Sequence, residues 1–93
     1  MVVGLMQVEL LLLETNSLKD KRSLLLKMRT QIQSKYNVSF SETGSQDIWG
    51  RAEIALTTAS NDSQFIDRMF TALEKLIEQN PAVRIVQRQM EIL

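Results

Sequence analysis

Apolar residues along the chain switch between two spacings, and the switches divide it into six elements. From residue 2 to residue 13 the pattern alternates. Met6, Val8, Leu10 and Leu12 share a parity free of polar residues, while Val3, Leu5 and Leu11 share the other with Gln7 and Glu9. That predicts a strand with its drier face on the even positions. Asn16 and Ser17 then offer caps, and Asp20, three residues after Ser17, makes a variant of the capping box. Leu18, Leu25, Met28, Ile32 and Tyr36 fall on one stripe at helical spacing, with Leu24 at its edge, and the helix runs to about Lys35. In NVSFSE, Val38 and Phe40 face one way and Ser39 and Ser41 the other, a short strand with one dry side.

Gly44, Ser45, Gln46 and Asp47 carry turn chemistry. A longer strand is predicted from about Ile48 to Ala59, with Ala52, Ile54, Leu56 and Thr58 on the apolar parity and Trp49, Arg51, Glu53, Ala55 and Thr57 on the mixed one. Ser60, Asn61 and Asp62 supply cap candidates for a second helix. Its stripe of Phe65, Ile66, Met69, Phe70, Leu73, Leu76 and Ile77 is the strongest periodic signal in the chain, and Asn80-Pro81 stops it. The segment Val83 to Leu93 is a last strand of mixed parity: Val83 and Ile85 suggest one register, Val86, Met90 and Ile92 the other. A bulge, or a strand partly buried on both faces, accounts for the conflict.

The order strand, helix, strand, strand, helix, strand predicts an α+β fold. It is the ferredoxin-like βαββαβ sandwich, a four-stranded antiparallel sheet with two helices on one face, in a single domain over 1–93. Two apolar helix stripes in so short a chain have one sheet surface to cover.

Composition narrows what such a domain does. There is no histidine and no cysteine, which removes the usual zinc sites, cysteine nucleophiles and histidine acid–base chemistry. The acids are scattered, and Glu74 and Glu78, one turn apart, sit on the polar face of their helix and read as solvated. The three glycines form neither GxGxxG nor GxxxxGK. No catalytic residue, cofactor or metal is expected, and the chain is read as a non-enzyme. No apolar run is long enough to span a bilayer, and no basic segment with a cleavage site opens the chain, so no membrane contact is expected and the cytoplasm is the expected compartment.

Formal charge is zero overall but uneven. Six cations stand between Ser17 and Tyr36 (Lys19, Lys21, Arg22, Lys27, Arg29 and Lys35) against Asp20, leaving that segment at +5 and the rest at −5. Lys19, Lys21 and Arg22 lie where the helix dipole disfavours cations, at a cost of only about 0.3–1 kcal/mol each. Lys19, Arg22, Leu26 and Arg29 descend one flank. Two readings stay open: a phosphate- or RNA-binding corner built from Lys19, Lys21, Arg22 and Arg29, or an ordinary solvated helix start. The sheet face away from the helices gathers Leu5, other aliphatics and Trp49 with few charges. It is read either as the interface of a homodimer or as a face whose tryptophan merely closes one end of the sheet. A lone aromatic does not support base stacking across that sheet.

The opening VVGLMQVEL, the segment SLKDKRSLL at Ser17 to Leu25, SQDIWGRAEIAL at Ser45 to Leu56, SND at Ser60 to Asp62 and the closing MEIL together resemble the bacterial YlxP-like family, a group of unknown function. Members often carry histidine before the equivalent of Gln46, where this chain has Ser45. The resemblance implies the same ferredoxin-like fold and no activity. Genes of the family commonly lie near those of a translation initiation factor and a ribosome-binding factor. That association implies ribosomal RNA or a ribosome-associated protein as partner, with Lys19, Lys21 and Arg22 from the first motif and Gln46, Asp47, Trp49 and Arg51 from the second as the residues to test. Asp47 and Arg51 could equally pair to fix the loop. The resulting expectation is a small accessory protein contacting RNA or a ribosome-linked partner through its basic first helix. The alternative is a homodimeric interaction module using the open sheet face.

Overall fold

Gly4 sits where the first strand must let a helix come close, because a Cβ there would lie 2.4 Å from Ile66 Cγ2 and 3.0 Å from Phe70 Cε2. That strand, β1 (Val2–Leu12), is central in a computed structural model that describes residues 1–93. It pairs antiparallel with β3 (Arg51–Ser60) on one side and β4 (Val83–Ile92) on the other. β2 (Ser39–Gly44) adds to β3, giving the order β2-β3-β1-β4. With α1 (Leu18–Lys35) and α2 (Ser63–Glu78) between strands, this is the βαββαβ ferredoxin-like fold.

The alternation of β1 decides which face is covered. Met6, Val8, Leu10 and Leu12 are buried, and they share one core with Ala52, Ile54 and Leu56 of β3, with Leu25, Met28 and Ile32 of α1, and with Ile66, Phe70, Leu73 and Ile77 of α2. Burying a side chain of this size contributes about 1.5–3 kcal/mol, so both helices are held to this face by their stripes. Ser17 caps α1 by accepting from Asp20 N at 3.1 Å, and Asp20 Oδ2 accepts from Asn16 N, one residue earlier than in the standard box. Of the three cap candidates for α2, Asp62 serves, accepting from Gln64 N at 2.9 Å.

The mixed parity of β4 has the cause the sequence suggested. Glu9 lies opposite Gln87 and Leu10 opposite Ile85, so Val86 is an extra residue and the faces exchange across it. A second shift, between Glu42 and Gly44, marks a bulge in β2. The β3 strand is shorter than expected at its start. Ile48 N donates to Ser45 O at 3.1 Å, folding residues 45–48 into a turn, and regular pairing with β1 begins at Arg51. Trp49 therefore stands in the β2–β3 loop and not on the open sheet face, a correction to its expected place.

Candidate functional site

The two motif segments meet through one side chain. Lys21 projects from the first turns of α1 into the gap between that helix and the β2–β3 loop, and the residue is 1% exposed. Its Nζ donates to Ser45 O at 2.6 Å and to Ile48 O at 2.8 Å, and lies 2.7 Å from Glu42 Oε2. Three oxygens thus surround an ammonium with three protons. The approach to Glu42 lacks hydrogen-bond angles, and Oε2 is itself shielded from water, so Coulomb attraction alone compensates that oxygen. Lys21 is scaffold. It is withdrawn from the set of side chains expected to touch an anion, because no ligand can reach its ammonium.

The spacing of α1 carried the signal. Leu18, Lys21, Leu25, Met28 and Ile32 follow one another at three, four, three and four residues, so Lys21 fills the one gap in the apolar stripe. A lysine at that position is buried along its stem and must find acceptors at its tip.

Other groups hold the same loop. Buried Thr15 donates Oγ1 to Trp49 O at 2.6 Å, with Leu12 O at 3.4 Å, and Leu12 N donates to Gly50 O at 3.0 Å. Ser45 adopts φ +57°, the left-handed region, and its Oγ donates to Glu53 Oε2 at 2.9 Å. Gln46 Nε2 donates to Glu42 O at 3.3 Å. The carbonyls of Ser45, Ile48, Trp49 and Gly50 are all engaged by α1 or the β1 end, while the side chains of Asp47, Ile48 and Trp49 are exposed, Trp49 by 47%. Asp47 makes no ion pair, and Arg51 pairs with Glu9 across the sheet instead. The Asp47–Arg51 pairing is thereby excluded.

The remaining cations of α1 stay free. Lys19, Arg22 and Arg29 are exposed and form no ion pair, Arg29 Nε donating only to Gln33 Oε1 at 3.4 Å, whereas Arg51 and Arg88 are tied to Glu9 and Glu74. Arg22 and Arg29 line a shallow groove of about 220 Å³ with Leu25, Leu26, Phe40 and Glu42, and Leu26 is 63% exposed. Glu42 is the one acid there, and Lys21 already offsets its charge. Leu5 lies on the open sheet face between Thr57 and Glu91, but the centre of that face is polar. Gln7, Glu9, Glu53, Gln87, Gln89 and Thr43 surround a hollow of about 180 Å³ there. The apolar surface expected across it is reduced to partly buried aliphatics near the ends.

Residues 3–90 match the family described as "Protein of unknown function (DUF503)". The chain belongs to that family. It is 29% identical over 82 residues to "Uncharacterized protein YlxP" of Bacillus subtilis (strain 168), an alignment covering 88% of this chain and 89% of the relative. Among solved structures it is similar to LarC2, the C-terminal domain of a cyclometallase involved in the synthesis of the NPN cofactor of lactate racemase, in its apo form. The TM-score is 0.44 at 13% identity, with all of this chain and 55% of the other covered. The chain thus spans about half the length of that structure. Within this DUF503 chain no helix is long and apolar enough to cross a membrane.

Proposed function

We propose that this DUF503 protein is a non-enzymatic accessory module that holds RNA phosphates on the outer flank of α1, through Lys19, Arg22 and Arg29. One observation carries the reading: these cations are exposed, share a flank and lack acidic partners. Phosphate contacts need free, convergent cations, and each one engaged makes binding more sensitive to salt. Lys27 and Lys35, also unpaired and exposed, extend the positive field along the helix. The absence of histidine and cysteine from the sequence supports a binding role over catalysis. The ribosomal association implied by the family resemblance makes ribosomal RNA the natural probe.

The test is binding of a ribosomal RNA fragment by the parent and by the triple variant K19Q/R22Q/R29Q across a salt series. The variant is expected to bind more weakly, with a log–log salt slope shallower by about 0.7–0.9 for each phosphate that it no longer neutralises. Equal affinity and equal slope would overturn the proposal.

A second reading, a protein contact at the β2–β3 loop, is supported by the exposed Ile48 and Trp49 on a backbone fixed from beneath. A backbone already held in place lowers the entropic cost of docking the side chains it carries. Trp49→Ala would then abolish partner binding while leaving the RNA salt slope unchanged.

A further inference from the structure

The outer edge of β4 carries no covering element, and the strand is ten residues long. Main-chain groups alternate along a strand between its two neighbours. Val3 and Leu93 exchange both hydrogen bonds, and Leu13 N donates to Ala82 O, which fixes the phase on each side of the Val86 bulge. Glu91, Gln89, Gln87 and Arg84 therefore turn their amides toward β1. Val83, Ile85, Arg88, Met90 and Ile92 turn theirs outward, away from β1, and of these Val83 N is taken locally by Asn80 O at 3.1 Å.

We propose that this edge pairs with the same edge of a second copy, antiparallel about a two-fold axis at Arg88, to give a continuous eight-stranded sheet. Three independent requirements select that register. Outward groups must meet outward groups: Arg88 meets its own copy, Ile85 meets the partner's Met90, and Val83 meets the partner's Ile92. Opposed residues must share a face. The bulge at Val86 provides this, because the partner's Gln89 and Met90 stand opposite Gln87 and Ile85 on the outer edge as Glu9 and Leu10 do on the inner.

Charges must also match. Arg84 and Glu91, both exposed and neither in an ion pair, become cross-strand neighbours twice over on the open face. On the helix side, apolar residues meet apolar ones. The two arginines at the axis are each already held by Glu74 of their own chain.

Neighbouring registers fit less well. An axis at Gln87 places Arg84 opposite glutamine and leaves Glu91 beyond the paired segment, and an axis at Gln89 places Gln87 opposite Glu91. Only the axis at Arg88 overlaps the strand along its full length. The edge is self-complementary in charge, and self-complementarity is what a closed two-fold pair requires. The other edge strand, β2, is six residues long and bulged, a form that discourages pairing.

Sedimentation equilibrium over a range of concentration tests the proposal on the full chain, with circular dichroism as the check on folding. The parent is expected to approach twice its 10.7 kDa mass. Arg84→Glu and Glu91→Arg should each raise the dissociation constant about tenfold or more, since each places like charges opposite one another. The double swap R84E/E91R should restore the parent's behaviour. In parallel, amide exchange at Ile85, Arg88 and Met90 should slow as protein concentration rises. A parent that stays monomeric, with those amides exchanging at a concentration-independent rate, overturns the pairing. A dimer indifferent to the single swaps, or not rescued by the double, overturns the register.

Discussion

Lys21 Nζ and Glu42 Oε2 lie 2.7 Å apart between α1 and β2, the lysine side chain 2% exposed and the glutamate side chain 26% exposed. The asymmetry sets the energetics. Losing the carboxylate's charge leaves a buried ammonium uncompensated, whereas losing the lysine leaves a glutamate side chain that is still partly in water. Lys21→Ala also leaves Ser45 O and Ile48 O without donors. It should cost about 3 kcal/mol in urea unfolding. Lys21→Met, which keeps the packed stem, should cost less than Lys21→Ala. Glu42→Gln should be milder still, because Lys21 keeps Ser45 O and Ile48 O as acceptors and an amide oxygen replaces the carboxylate. A Lys21→Ala protein as stable as the parent would show that the lysine does not hold the fold.

Amine chemistry reads the same burial without mutation. Of the five lysines, Lys19, Lys27, Lys35 and Lys75 are exposed. Brief acetylation of the folded protein, followed by peptide mass mapping, should modify those four and spare Lys21. Pretreatment with denaturant should remove the distinction. Equal labelling of Lys21 in the folded state would contradict its enclosure.

Thr15→Val removes the hydroxyl that holds Trp49 O and Leu12 O. A net loss of about 1 kcal/mol is expected for a single neutral hydrogen bond of this kind. Because the chain has one tryptophan, its fluorescence anisotropy reports the loop directly and should fall in the variant. An unchanged anisotropy would mean that the loop is fixed by Lys21 and Leu12 N alone.

Gly4→Ala tests the close seating of α2 on β1. The added methyl would overlap Ile66 Cγ2 at 2.4 Å and press on Phe70. Overpacking of this kind costs about 1–3 kcal/mol, and thermal unfolding should show it as a lowered midpoint. A midpoint equal to the parent's would mean that α2 shifts freely over the sheet.

The parts of the fold governed by period were legible in advance. The even residues of β1, the α2 stripe apart from the exposed Phe65, and the change of parity along β4 all follow from side chains that must face a common core. Trp49 was misplaced because alternation from Ile48 onward looks strand-like, while the turn closed by Ile48 N and Ser45 O leaves no periodic trace. The candidate site divides the same way. Arg22, Leu26 and Arg29 share a flank by spacing alone. The role of Lys21 depends on which carbonyls lie across the gap, and those come from a segment more than twenty residues away, which no local pattern reports.

An ammonium in the interior also constrains the order of assembly. If α1 seated on the sheet before the β2–β3 hairpin closed, Lys21 would face hydrocarbon with nothing to receive its protons. Helix docking and hairpin closure are therefore joined into one step. Amides in the first turns of α1 and in the 45–50 loop should open together, at a shared free energy, when the native protein exchanges in mild denaturant.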